Sequence, residues 1–154
     1  FIPAAQSPFK LDRTPAPAAV RLAMVRAAIA GEPRFECDAS ETEREGPSFT
    51  VDTVEAWRAK FPGDEFFCLI GEDNVRDLPK WRRFEELRAM AQFVVFARDA
   101  SAAAHGFPCV GRRVDISATE VRKRVAERRS IRYLVPEAVR EIIETHRLYQ
   151  GDSH

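Results

Sequence analysis

Three short stretches hold the residue types best suited to chemistry. The first is Ile116-Ser117-Ala118-Thr119-Glu120-Val121-Arg122. Serine followed three residues later by glutamate fits a helix capping box. The free amides of a helix start form an anion site, to which the Ser117 and Thr119 hydroxyls add donors. Arg122, about one turn further in, adds a planar positive charge that can grip an anion with two parallel bonds. From Arg112 to Arg132 there are eight basic residues against three acidic ones, so the stretch is locally basic in a neutral chain. The second stretch is Leu69-Ile70-Gly71-Glu72-Asp73-Asn74, with Leu78-Pro79-Lys80-Trp81 downstream. A glycine at a strand end lets a ligand approach the backbone, and Asp73 could accept hydrogen bonds from ribose hydroxyls. Trp81 offers a flat face for stacking on an aromatic ring. The third stretch runs from Glu45 through Gly46-Pro47-Ser48-Phe49-Thr50 to Thr53, and Lys10 stands in Gln6-Ser7-Pro8-Phe9-Lys10. Taken singly, each has a plainer reading: a capped surface helix, a tight turn, a core tryptophan, a helix entry, a surface lysine.

The elements that must position these residues alternate between helix and strand. Apolar residues at Val20, Met24 and Ala28, closed by Gly31 and Pro33, predict a helix over Ala16–Ala30. Arg34–Asp38 alternates like a short strand, and Phe1-Ile2 reads as the end of a buried one. A charged loop over Ser40–Pro47 leads to a helix from Ser48 to Phe61, stopped by Pro62-Gly63-Asp64. Phe66–Ile70 has no polar interruption and predicts a strand covered on both faces of a parallel sheet. A helix over Phe84–Met90, a strand over Phe93–Phe96 and a brief strand at Val114-Asp115-Ile116 follow. Helices are then expected over Thr119–Glu127 and Pro136–His146. The pattern is that of an α/β fold with a mostly parallel sheet, in one domain spanning 1–154. Ligands in such sheets bind beyond the carboxyl ends of the strands, where Gly71-Glu72-Asp73, Ala97-Arg98 and Ser117-Ala118-Thr119 are expected.

Composition narrows the function classes. The chain has 24 basic and 24 acidic residues, which speaks against a general nucleic-acid or membrane-surface binder. No apolar run approaches the roughly 20 residues of a membrane-spanning helix, and the opening residues do not read as a signal peptide. Cys37, Cys68 and Cys109 are widely spaced, which points to reduced thiols in a cytoplasm instead of a disulfide framework or zinc site. Cys68 reads as a small core residue. Homo-oligomerisation is left open.

Order and spacing together carry a resemblance. Phe1-Ile2-Pro3-Ala4, Pro8-x-Lys10, Glu43-x-Glu45-Gly46-Pro47-Ser48-Phe49-Thr50-x-Asp52-Thr53, Ile70-Gly71-x-Asp73-Asn74 and Leu78-x-x-Trp81 are similar to elements of bacterial-type nicotinate-nucleotide adenylyltransferases. So are Ile116-Ser117-Ala118-Thr119-x-x-Arg122 and Leu134-Val135-Pro136-x-x-Val139 through Leu148-Tyr149. The resemblance implies a Rossmann-like nucleotidylyltransferase fold and transfer of AMP from ATP to nicotinate mononucleotide, with Mg²⁺ accompanying ATP. It implies Ser117, Thr119 and Arg122 on the ATP phosphates and Gly71 and Asp73 around adenosine. Trp81 would lie against the pyridine ring, Thr50 near its carboxylate, and Lys10 and Arg98 near phosphate. Family members open on a glycine-rich segment ending His-x-Gly-His. The histidines here are His105, His146 and His154, none in that context, so the first βα unit is expected to be absent from this chain. Phe9 stands where a histidine is common, and Ala118 replaces the usual serine. Two further readings stay open: a degenerate nucleotide binder without turnover, and a sister adenylyltransferase for another phosphorylated substrate.

Overall fold

The computed structural model describes residues 1–6, 8, 15–44, 46–97, 105–111 and 115–150. The chain divides into two compact units, Ser48–Asp115 and a second made of Phe1–Pro47 with Ile116–His154.

In the Ser48–Asp115 unit, helix α3 (Thr50–Lys60) precedes strand β1 (Phe67–Gly71). A 3-10 helix (Glu72–Lys80), α4 (Phe84–Met90), β2 (Gln92–Ala97) and β3 (Cys109–Gly111) follow. The strands form one sheet in the order β1-β2-β3, and both pairings are parallel. Successive residues on a strand face opposite ways, so the apolar run of β1 is split between two faces. Ile70 is buried and Cys68 half-buried, packed with Val51 of α3, Leu87 of α4, Leu78, Phe93 and Val95. Burial pushes the Cys68 thiol up to about 11, because the thiolate would lose its hydration there.

The other face corrects the expectation of a strand buried on both sides. Phe67 is 54% exposed and Leu69 60%, and Phe96 and Val110 of the neighbouring strands are exposed with them. Only one face of this sheet carries a packed layer among the described residues, and the unbroken apolar run concealed that asymmetry. The third strand also lies elsewhere than expected. It is Cys109–Gly111, held beside β2 by the Val95 amide donating to the Pro108 carbonyl at 2.8 Å. Val114 falls outside the described residues, and Asp115-Ile116 leads into a helix without pairing. A three-residue strand ending on glycine has too little pattern to be read from sequence.

The second unit is helical. It holds α1 (Ala18–Ile29), the four-residue α2 (Ser40–Glu43), α5 (Ala118–Ala126) and α6 (Glu137–Thr145). Val121, Ile131, Val139 and Ile143 are its buried centre, with Met24 and Ala27 of α1 packed against them. Arg21 on α1 donates to the carbonyls of Ala4, Ala5 and Ala16, which ties the opening segment to the helix. The expected strand over Arg34–Asp38 forms only one rung. The Phe1 amine donates to the Glu36 carbonyl at 2.6 Å, and the Asp38 amide donates to the Phe1 carbonyl at 2.9 Å. That alternation is the pattern of a parallel pair centred on Phe1 and Cys37. Phe1-Ile2 is not buried, however: Phe1 is 61% exposed and packs edge-on against Phe35.

Leu87 has no solvent exposure and Leu69 lies largely in water. Leu87→Ala is expected to destabilise the protein by about 2 to 5 kcal/mol, and Leu69→Ala by far less. Urea unfolding of the two variants checks this, and equal losses would contradict the one-sided core.

Candidate functional site

The expected site residues fall on both units, and each group is described within its own. In the helical unit Ser117 is the N-cap of α5, with extended backbone angles (φ −126°, ψ 145°). Its Oγ accepts from the Glu120 amide at 3.0 Å. Only half of the capping box forms. The Glu120 carboxylate pairs with Arg124 at 3.5 Å, one turn onward, instead of reaching back to the cap. By helix geometry the Ala118 and Thr119 amides have no intrahelical acceptor, so they point outward at the positive end of the helix dipole.

Arg122 donates from Nη2 to the Thr119 Oγ1 at 3.3 Å, so one side chain orients the other. The neighbouring bases are compensated: Lys123 pairs with Glu127 at 3.8 Å and Arg124 with Glu120. Arg122 makes no ion pair among the described residues. An exposed, uncompensated guanidinium one turn inside an open helix start is what an anion site needs. The sequence reading thus brought together three residues that the structure also brings together: Ser117, Thr119 and Arg122.

In the sheet unit, Gly71 ends β1 with φ −74° and ψ 148°, ordinary extended angles. A tight turn therefore does not explain the glycine. A Cβ there would meet only the Asn74 amide nitrogen, at 3.7 Å, so what the glycine supplies is open space beside the backbone. Asp73 is exposed in the first turn of the 3-10 helix that leaves the strand. Trp81 follows that helix, its amide donating to the Leu78 carbonyl at 2.9 Å. Its indole meets Phe93 edge-on at 6.3 Å and is half-buried, so core packing holds one edge and leaves part of the ring accessible.

Thr50 is the first residue of α3, and its half-buried hydroxyl makes no hydrogen bond among the described residues. The cap is Phe49, which offers no side-chain acceptor. Helix geometry leaves the Thr50 and Val51 amides without intrahelical acceptors, and Val51 is fully buried. Lys10 and Arg98, together with Phe9 and Glu45, lie outside the described residues.

Sequence reading missed a set of charges around Trp81. Arg82 lies over the Phe49 ring at 4.6 Å and reaches Asp52 at 3.8 Å. Arg83 binds both Glu55 and Glu86. No local signal reveals partners 28 residues apart.

An open cavity of about 740 Å³ lies in the helical unit, lined by Val125, Arg128, Arg132, Glu137, Arg140 and Glu144 among others. It sits toward the C-terminal end of α5, away from Ser117. Arg140 is already held by Glu137 and Glu144, whose pairing lowers the Glu137 pKa. None of the expected site residues among those described lines it.

No helix among the described residues is long and apolar enough to cross a membrane. Nor is there a cluster of three or more His, Cys, Asp or Glu side chains among them that could hold a metal ion.

Residues 1–124 match the cytidylyltransferase-like family, a class of nucleotidyl-transferring proteins. A Bacillus pumilus protein named "Probable nicotinate-nucleotide adenylyltransferase" is 40% identical over 98% of this chain and 82% of its own length. A Thermus thermophilus protein of the same name is 42% identical over 97% of this chain and 82% of its own. Among solved structures, the Plasmodium falciparum nicotinic acid mononucleotide adenylyltransferase complexed with NaAD superposes with a TM-score of 0.72. That likeness covers 96% of this chain and 80% of the other at 17% identity, and it establishes a shared fold. The chain belongs to the cytidylyltransferase-like family, on its nicotinate-nucleotide adenylyltransferase branch, and it has the α/β nucleotidylyltransferase fold.

Removing the Ser117 hydroxyl deletes the only side-chain cap on α5. Ser117→Ala is expected to lower stability by about 1 kcal/mol. Thermal unfolding compared with an Ala118→Ser variant checks it, and an unchanged midpoint would show that the cap bond contributes nothing.

Proposed function

We propose that the protein transfers AMP from ATP to nicotinate mononucleotide, giving deamido-NAD and pyrophosphate. The observation that carries the reading is 40% identity to a relative of that name across nearly the whole chain. The geometry of each half supports it independently.

In this reading the ATP phosphates lie at the start of α5. Amides, the Ser117 and Thr119 hydroxyls and the Arg122 guanidinium hold charge that grows on the departing pyrophosphate. Gly71 gives adenosine room at the end of β1, and Asp73 accepts from its ribose. The pyridine ring stacks on the accessible part of Trp81. Its carboxylate sits at the start of α3, with the Thr50 hydroxyl and the Thr50 amide. Lys10 and Arg98 serve as further phosphate contacts.

An oxygen of the mononucleotide 5′-phosphate attacks the α-phosphorus of ATP in line. The new P–O bond forms as the bond to the bridging oxygen breaks, and pyrophosphate leaves with the electron pair. No protein nucleophile takes part, and catalysis rests on positioning and charge neutralisation. Mg²⁺ enters as part of the MgATP substrate. The two units act together as one nucleotidylyltransferase domain. The protein works in the cytoplasm, without nucleic-acid or membrane partners.

The α3 start also bears on the choice between acid and amide. A helix N-terminus favours an anion over a neutral group. Nicotinamide mononucleotide is therefore expected to show kcat/KM about tenfold or more lower, the scale of one charge-assisted hydrogen bond. Trp81→Ala is expected to raise KM for nicotinate mononucleotide by about tenfold, the scale of a lost stacking contact. Pyrophosphate release with MgATP and each mononucleotide measures both. Deamido-NAD binding without pyrophosphate release would replace the enzyme with a nucleotide binder, and an unchanged KM in Trp81→Ala would remove the ring from that tryptophan.

A further inference from the structure

Arg83 has an unusual backbone. It occupies the N-cap position of α4 with φ 53° and ψ 44°. Residues at that position normally take extended angles, and left-handed ones are costly for a residue with a Cβ. The other left-handed arginines, Arg128 and Arg147, follow α5 and α6. There the turn is a usual way to end a helix. A strained residue persists only where its surroundings over-determine it.

The surroundings here are two carboxylates from two different elements. Arg83 Nη1 and Nη2 donate to Glu55 on α3 at 3.0 and 2.6 Å. Its Nε and Nη2 donate to Glu86 on α4 at 3.0 and 2.5 Å. One planar guanidinium thus joins α3 to α4 through two forked contacts, a geometry lysine cannot reproduce. The adjacent Arg82 makes a second tie to α3, stacked on Phe49 and near Asp52. Trp81 immediately precedes this pair, and Phe49 immediately precedes Thr50.

We propose that Arg83, bridging Glu55 and Glu86, acts with the Arg82–Phe49 stack as a positioning clasp that fixes Trp81 relative to the start of α3. It thereby sets the affinity of the unit for the pyridine mononucleotide. The clasp rests on the reading of Trp81 and Thr50 as contacts to that substrate. None of its members is among the residues read above as phosphate contacts. Its loss therefore weakens mononucleotide binding and leaves the ATP side of the reaction unaltered.

Two substitutions separate the clasp from the strain. Arg83→Gly relieves the left-handed backbone and removes the guanidinium, whereas Glu55→Gln keeps the backbone and shape and removes one charge. Arg88→Ala on the same helix is the control. Both clasp variants are expected to raise KM for nicotinate mononucleotide by about tenfold, since small displacements of a positioning group are costly. KM for ATP and kcat stay within about twofold. In a Trp57→Phe protein, where Trp81 is the sole tryptophan, acrylamide quenching of its fluorescence rises in both variants without substrate.

Unchanged quenching and unchanged KM in folded variants would overturn the clasp. So would a parallel rise in both KM values or a fall in kcat alone, either of which marks a general structural role. If Arg83→Gly does not fold, the Glu55→Gln result decides by the same criteria. Raised quenching in variants of a protein that does not turn over nicotinate mononucleotide would retain the clasp and remove the substrate reading.

Discussion

In the parallel pairing of β1 with β2, Phe67 stands opposite Gln92 and Gly71 opposite Phe96, so both strands finish at the same edge of the sheet. Everything proposed as functional in the sheet unit depends on that pairing. It sends the chain out of β1 at Gly71 into the 3-10 helix, which carries Asp73 at its start and delivers Trp81 at its end. Beneath it, Val51, Leu87 and Val95 have no solvent exposure, and they hold α3 and α4 against one face of the sheet. Burial of that layer fixes where α3 begins and therefore where Thr50 stands. The proposed Arg83 clasp then sets the finer position of Trp81 within the frame that apolar packing supplies.

The two helix starts that matter are built differently. At α5 a serine satisfies one amide and leaves two without intrahelical acceptors, beside an arginine that makes no ion pair among the described residues. At α3 the cap is a phenylalanine that satisfies none by its side chain. A polar cap stabilises a helix in the absence of ligand, whereas an apolar cap leaves amides to be satisfied by water or by what binds. The proposed division of labour follows from this contrast: a phosphate-rich ligand at the partly capped end, and one carboxylate at the open one.

Much of this was legible in the chain, for identifiable reasons. The α5 start was readable because capping is local: Ser117 and Glu120 are three residues apart, and the bond forms as expected. Helix α4 and strand β2 followed their apolar spacing. The reading failed where the answer depended on distant residues or on too few. The apolar run at Phe67–Ile70 does not reveal that one sheet face carries no packed layer among the described residues. The 3-10 helix after Gly71 contains Pro79 and charged residues, with no period-four stripe to announce it. The Arg83 bridge joins residues far apart in sequence through a backbone conformation that no local pattern predicts.

The central proposal is that the start of α5 takes phosphates and that Trp81 takes a pyridine ring. The most direct measurement is a crystal structure of the protein with deamido-NAD. The account predicts the diphosphate within hydrogen-bonding distance of the Ser117 and Thr119 hydroxyls and the Arg122 guanidinium. It also predicts the pyridine ring stacked on Trp81 with its carboxylate at the Thr50 amide. A diphosphate bound elsewhere, or a ring that leaves Trp81 uncovered, would contradict it.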